Sequence, residues 1–543
     1  MPRFDSLRRL PLLRGLAVFC LWACSSLTAV ANEPPATIDC DLLLRQGLVC
    51  DGSLAEPKVG DVALLKGKIV AVGEFKTGRV GREIDCTGLV IAPGFIDLHT
   101  HSDDSIVDPS TRANINYLLQ GCTTIVTGNC GSGPTNVAAF YKKIEAGGAG
   151  ANVLHLIPHG SIREIVLRRD NRLATPEELT RLRELVRQGM KDGAWGLSTG
   201  LIYVPSSYSD TAELTALAEV VGEFGGLYAS HIRGENTVLL KAVAEAIEIG
   251  EKAHTPVHIS HFKASGRDAW GLIREAAKLV ETARTAGRRV TADQYPYVAS
   301  STSLEATLIP TWARAGGSDA LIARIDHPEE GRRLREEILD SLSRADGGAA
   351  VRIARYSPHP DWIGLNLVQI AEKESRMPLD IVLEITRNGG AAIVNFSMSE
   401  DDVRYAMTLP WVATASDGRG YLPGADKPHP RSYGTFSRKI GYYAIREQAV
   451  PLGQAIYSSS GLPAEILGLT DRGMLRPNFA ADVVVFDPKT FIDTATFDEP
   501  HQYSTGLRHA FINGVPTISH GIPTGALAGV VLRKPTQPAS HPR

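Results

Sequence analysis

The chain has 543 residues, 43% of them hydrophobic and 22% charged, with a formal net charge of -3. That length is too great for one simple core and suits one large domain plus a smaller one. The slightly acidic balance supplies no basic field for nucleic acid and no basic amphipathic stretch for a membrane surface, which argues against both as partners.

At the N-terminus, Arg3, Arg8, Arg9 and Arg14 precede an apolar run from about residue 16 to residue 30. Ala29-Val30-Ala31 then offers small residues at the −3 and −1 positions of a cleavage site. The pattern reads as a secretory signal over residues 1–31. Its apolar run is short for a membrane span, so the expectation is an exported, periplasmic chain with no integral membrane segment after cleavage. Arg8-Arg9 also fits a twin-arginine route, whereas Leu21-Trp22-Ala23-Cys24 is a poor lipoprotein site because Trp22 is bulky. Five cysteines remain after cleavage: Cys40, Cys50, Cys86, Cys122 and Cys130. Cys40 and Cys50 are either a disulfide or two buried thiols, and the odd count leaves at least one thiol free.

Residues 32–92 hold short strand-like runs separated by glycine and charged residues, and the same texture returns over 461–530. Both ends of the chain are expected to build one small β-sandwich around the domain inserted between them, residues 93–460. In that middle part apolar runs near 96–99, 123–127, 153–157, 195–198, 227–231, 257–261, 290–293 and 411–416 alternate with amphipathic helical stretches such as 176–191 and 238–253. Eight runs with intervening helices predict an α/β fold, a (β/α)8 barrel of the TIM type. The charged, helical stretch from about 300 to 396 has no strand-like run before Ala391-Ala-Ile-Val-Asn-Phe396. It is too long for a plain connection and is read as a lid insertion. Residues 531–543 are expected to be a disordered tail.

The chemistry collects where these runs end, which is where barrels of this kind build their sites. His99 and His101 close the first run at spacing i, i+2, so that both imidazoles leave one strand end on the same side. The second run ends at Gly128-Asn129-Cys130-Gly131, the fifth at His231, the sixth at His261 and the last at Asp417. Four imidazoles, one thiol and one carboxylate at neighbouring strand ends are a donor set for a divalent metal.

These segments resemble the amidohydrolase superfamily and, within it, the N-acyl-D-amino-acid deacylases, or D-aminoacylases. The general signal is Gly94-Phe-Ile-Asp-Leu-His-Thr-His101. Narrower ones are Gly128-Asn-Cys-Gly131, Ser230-His-Ile-Arg-Gly-Glu235, Ser260-His-Phe-Lys263, Asp293-Gln-Tyr-Pro-Tyr297 and His429-Pro-Arg-Ser-Tyr-Gly-Thr-Phe436. The resemblance covers nearly all of the chain after the signal. It implies hydrolysis of the amide bond of N-acyl-D-amino acids, small-molecule substrates, on a tightly bound Zn2+ held by Cys130, His231 and His261. It also implies a second, weaker site at His99, His101 and Asp417, with Cys130 available to both. Asp417 is implied as general base. Lys263, Tyr295 and Arg431 are implied as a clamp for the substrate α-carboxylate, and Tyr203 as a substrate-side phenol. Neutral apolar side chains are favoured over acidic ones. Arg314 is the feature that would suit an acidic side chain, although its place in an amphipathic stretch suggests a solvated face. The sequence departs from the family pattern after Pro205, where Ser206-Ser207 replace the frequent glycine. Alternative readings are a D-dipeptidase or cyclic-amide hydrolase of the same superfamily, and an exported zinc- or ligand-binding protein without turnover.

Overall fold

The computed structural model describes residues 37–535, so the expected signal over 1–31 lies outside the described residues. Among the described residues no helix is long and apolar enough to cross a membrane.

Both ends of the described chain meet in one nine-stranded sheet. Strands Ile38–Val49, Lys58–Leu65, Lys68–Gly73, Thr77–Asp85 and Val90–Pro93 join Val483–Phe486, Leu507–Ile512, Val515–Ser519 and Ile522–Pro523. The seam is the antiparallel pair of Val90–Pro93 with Val483–Phe486, every residue of which is buried. Alternation explains that burial. Val90, Ala92, Val484 and Phe486 enter the large core shared with the middle of the chain, whereas Ile91, Val483 and Val485 enter a smaller core with Leu44, Val62 and Ile69. The five described cysteines are free and buried, so Cys40 and Cys50 are two thiols.

The middle of the chain is built on parallel strands. Phe95–Asp97, Cys122–Thr127 and Asn152–His155 form one group. Ile157–Pro158, Gly196–Gly200, Leu227–His231, Val257–Ile259, Val290–Gln294 and Val412–Thr414 form the other. Most of these residues are buried, as expected for parallel strands covered by helices on one side and by each other's side chains on the other. The groups touch at both margins. Leu156, between Asn152–His155 and Ile157–Pro158, donates its N–H to Thr127 O at 2.9 Å. At the other margin Thr100 bridges Gly418 in the parallel sense, Asp417 N donates to His99 O at 2.8 Å and His101 N to Gly418 O at 2.7 Å. The fully buried Asp97 fastens the same junction, because its Oδ1 accepts from His99 N at 3.1 Å and from Ser416 N at 3.0 Å. Helix Pro176–Lys191 occupies the expected span, opened by a Thr175–Glu178 capping box with proline in its first turn. Leu239–Ala253 likewise matches the expected helix to within a residue.

The segment expected as an insertion has its own antiparallel sheet, Ser300–Ser303 and Val351–Arg355 on either side of Ala392–Asn395. It also has its own apolar core, with Leu334, Ile338, Ile353, Trp362, Leu367 and Ile381 buried together. The Ala391–Phe396 run is therefore the centre of the insertion's sheet. Residues 531–535, expected as the start of a disordered tail, are held instead: Val531 bridges Val153, and Leu532 O accepts from Trp195 Nε1 at 2.6 Å. Residues 536–543 lie outside the described residues.

Asp97→Ala leaves two buried N–H groups without acceptors and is expected to cost about 2–4 kcal/mol of stability. Asp97→Asn, which keeps one acceptor oxygen, is expected to cost less. Urea unfolding of the two variants checks the order.

Candidate metal centre and substrate cavity

The Cys130 side chain reaches the centre of the strand ends through a tight turn. Gly128, Cys130 and Gly131 all have left-handed backbone, with φ of 77°, 51° and 71°. At Gly128 a Cβ would meet Leu156 O at 2.0 Å, so only glycine fits. Asn129 Nδ2 pins the turn by donating to Val126 O at 3.0 Å and Leu98 O at 3.2 Å. His261 and Asp417 also follow parallel strands and also carry positive φ, 38° and 50°. Left-handed non-glycine residues at three candidate donors are the kind of local strain found at functional sites.

The structure brings all six sequence-predicted donors together. Cys130 Sγ lies 3.2 Å from His99 Nε2, 3.6 Å from His231 Nδ1 and 3.9 Å from His261 Nε2. His231 Nδ1 and His261 Nε2 face each other at 2.8 Å. Asp417 Oδ1 is 3.0 Å from His101 Nε2 and 3.4 Å from His99 Nε2. Burial alone would push the Cys130 thiol up, but the surrounding imidazoles, His99 foremost, hold it well below the usual range. Asp417 behaves alike: burial opposes its charge, while Arg431 and then His99 outweigh that and hold its carboxyl well below normal. Burial pulls His101 down, yet Asp417 and Cys130 raise it to about 9.

A second layer fixes the imidazoles, and sequence reasoning assigned it no role. Asp293 Oδ2 meets His99 Nδ1 at 3.3 Å and His258 Nε2 at 2.9 Å, while its Oδ1 accepts from His261 N at 2.7 Å. Burial works against the Asp293 charge, but His99 and His258 hold the carboxyl far below normal. Glu235 Oε1 lies 2.8 Å from His261 Nδ1 and 2.5 Å from Lys263 Nζ. Both acids sit in motif segments named above, Glu235 closing one and Asp293 opening another. The role of Asp293 comes from ladder register: Ile259 pairs with Ala292, which sets Asp293 level with the residues that follow Ile259.

A cavity of about 800 Å³ opens onto this cluster. His101, Cys130, Asp417, Tyr203 and Arg431 line it, and residues 301–303, 354–358 and 388–392 of the insertion supply the far wall. Tyr203 stands edge-on to His231, with ring centroids 5.1 Å apart, and its hydroxyl lies 3.0 Å from Thr302 Oγ1. Burial, helped by the Cys130 charge, pushes the phenol far up, so it stays protonated. Arg431 Nη1 is 2.8 Å from Asp417 Oδ2 without an aligned hydrogen bond, and Arg431 Nη2 donates to Ser301 O at 3.2 Å. Arg431 Cζ lies 4.8 Å and Lys263 Nζ 5.7 Å from the Tyr295 ring centre, so the three expected clamp residues are neighbours. Lys263 departs from the expectation in one respect. Its ammonium is committed to Glu235 and to His261 O at 3.1 Å, and with Tyr295 it faces a small separate space beside His261. Arg314 is on neither a solvated face nor the cavity wall. It ends the short Thr311–Arg314 turn and donates to Ile202 O at 3.0 Å and Thr311 Oγ1 at 3.1 Å, so it gives no reason to expect an acidic substrate side chain.

The donors fit zinc by their chemistry. A thiolate with two imidazoles is the soft, nitrogen-rich set that zinc takes, and three protein donors is the number its catalytic sites use. Cys130 Sγ, His231 Nδ1 and His261 Nε2 lie within 3.9 Å of one another, close enough for one cation to meet all three.

The amidohydrolase family profile matches residues 82–518. The chain belongs to the amidohydrolase family. It is 32% identical to the D-aminoacylase of Alcaligenes xylosoxydans xylosoxydans over 517 residues, which is 91% of this chain and 98% of that one. It is 31% identical to the N-acyl-D-glutamate deacylase of the same organism, over 92% of this chain and 98% of that one. The N-acyl-D-glutamate deacylase of Bordetella bronchiseptica, solved with zinc and a phosphonate inhibitor, matches with a TM-score of 0.78 at 30% identity, covering 91% of this chain and 100% of that chain. The mixed α/β fold with parallel sheets is thus shared with this group.

Asp293→Asn weakens the hold on three histidines at once and is expected to lower zinc affinity roughly 10–100-fold. Competition with a chelator measures it, and an unchanged affinity would remove the second-layer role.

Proposed function

We propose that the chain is a zinc-dependent N-acyl-D-amino-acid deacylase, releasing a carboxylate and a free D-amino acid. One observation carries this reading. The Cys130 thiolate stands among imidazoles beside Asp417 and Arg431, on the wall of a cavity, in a chain alike over nine-tenths of its length to enzymes named for that activity. In the same reading, with Asn152–His155 and Ile157–Pro158 taken as one strand, the two parallel strand groups close into an eight-stranded (β/α)8 barrel, and the nine-stranded sheet is a β-sandwich. The insertion is a lid, and the N-terminal arginines and apolar run export the protein to the periplasm.

Cys130, His231 and His261 would hold the tight zinc, and His99, His101 and Asp417 the weaker one, with Cys130 available to both. Zinc bound there would supply Lewis-acid polarisation of the amide carbonyl and acidify water. The chain's own groups do the rest. Asp417, ionised, takes the proton of the attacking water. It returns a proton to the amide nitrogen as the C–N bond breaks. The protonated Tyr203 phenol donates to the carbonyl oxygen as negative charge develops there. Arg431 presents a planar fork to the substrate α-carboxylate, in competition with Asp417 for the same guanidinium.

Asp417→Asn is expected to keep tight zinc and lose roughly 10²–10⁴-fold in kcat on an N-acetyl-D-amino acid. Loss of the tight zinc along with activity would make Asp417 a structural ligand instead of the base.

A further inference from the structure

Beside the cavity, away from the donor cluster, lies a buried polar chain that the mechanism does not use. His159 Nδ1 is 3.0 Å from Ser206 Oγ, and His159 Nε2 is 3.0 Å from Glu213 Oε1. Arg163 Nε donates to the same Glu213 oxygen at 3.0 Å, and Arg163 Nη1 to Pro205 O at 3.2 Å. Ser206, His159, Glu213 and Arg163 are 1%, 0%, 4% and 0% exposed. An ionised carboxylate only accepts, so Nε2 carries a proton toward Glu213, and Nδ1 is left to the Ser206 hydroxyl, which can accept or donate.

The order serine, histidine, acid is that of an activated nucleophile, but the surroundings say otherwise. A Cβ built on Gly131 would meet Ser206 Oγ at 3.2 Å, and one on Gly160 at 2.9 Å. Ser206 borders the cavity, but its hydroxyl is packed against two backbones and engaged by His159. Those backbones are telling. Gly131 follows Cys130, and Ser206 comes three residues after Tyr203, whose ring lies against His231.

We propose that Ser206, His159 and Glu213 form a strut that sets the Tyr203 loop against the Cys130 turn, making Ser206 and His159 positioning residues that act through Tyr203. The proposal rests on the deacylase reading only in taking Tyr203 as the substrate-side phenol.

The test uses zinc-loaded protein and Ser206→Ala, a small change at a site that needs no new side chain. Amide hydrogen exchange over residues 201–209 is expected to quicken about tenfold or more while global unfolding is little changed. On an N-acetyl-D-amino acid, kcat is expected to fall roughly tenfold with KM nearly constant. That effect is expected to vanish in a Tyr203→Phe background, because the two changes act on one group. Unchanged exchange, effects of Ser206→Ala and Tyr203→Phe that simply multiply, or covalent capture of Ser206 by a fluorophosphonate would each overturn the proposal. Absence of turnover by the unsubstituted protein would sink the deacylase reading, and the exchange result would still decide the strut.

Discussion

The structure turns on one buried anion, the Cys130 thiolate. A thiolate out of water is costly unless cations or donors surround it. Here His99, His101, His231 and His261 all act on it, and it is their common presence that holds the thiol ionised. The imidazoles in turn need anions at their far nitrogens. Asp293 meets the far nitrogen of His99 and Glu235 that of His261, while Asp417 faces His99 and His101 on the thiolate side. Arg431 and Lys263 close the balance against Asp417 and Glu235. Removing any one member leaves another buried charge uncompensated, which is why the cluster acts as a unit.

The backbone bears part of the cost. Left-handed φ at Cys130, His261 and Asp417 stores on the order of 1–3 kcal/mol at each. His261 and Asp417 are each pinned by their own N–H, and Cys130 through the N–H of Gly131 that follows it. Asp417 N donates to His99 O, His261 N to Asp293, and Gly131 N to Ser198 Oγ at 3.0 Å. The parallel sheet does more than bring donors near one another. Its register supplies the acceptors that make the strained turns tolerable, and Asp97 repeats the device at the junction of the first and last strands.

Much of this was legible in the residues. Apolar runs bounded by glycine gave strands, and the runs ended in metal-type donors, so both the parallel body and the donor set followed from pattern. The Pro176–Lys191 helix was legible because its capping box and N-terminal proline are local signals. The rest depends on what lies across a ladder or a cavity. Asp293 and His258 look like ordinary strand residues until register sets them beside His99 and His261. Lys263 lies in the motif segment that ends beside it, but Glu235 and His261 claim its charge first. Arg314 reads as surface because nothing local shows that Ile202 O will meet it. The 531–534 segment looks like tail, since its partners, Val153, Trp195, Gly193 and Glu145, lie hundreds of residues away in the chain. Ser206 showed as a departure from a family pattern, without any sign of the histidine behind it.

The most direct measurement is amine release from paired N-acetyl-D- and N-acetyl-L-amino acids, with methionine, leucine, phenylalanine, glutamate and aspartate side chains, by the zinc-loaded chain. The account predicts hydrolysis of D-forms with the L-forms left intact. A chain that binds zinc tightly and releases amine from none of the D-forms, or from both forms alike, would contradict it.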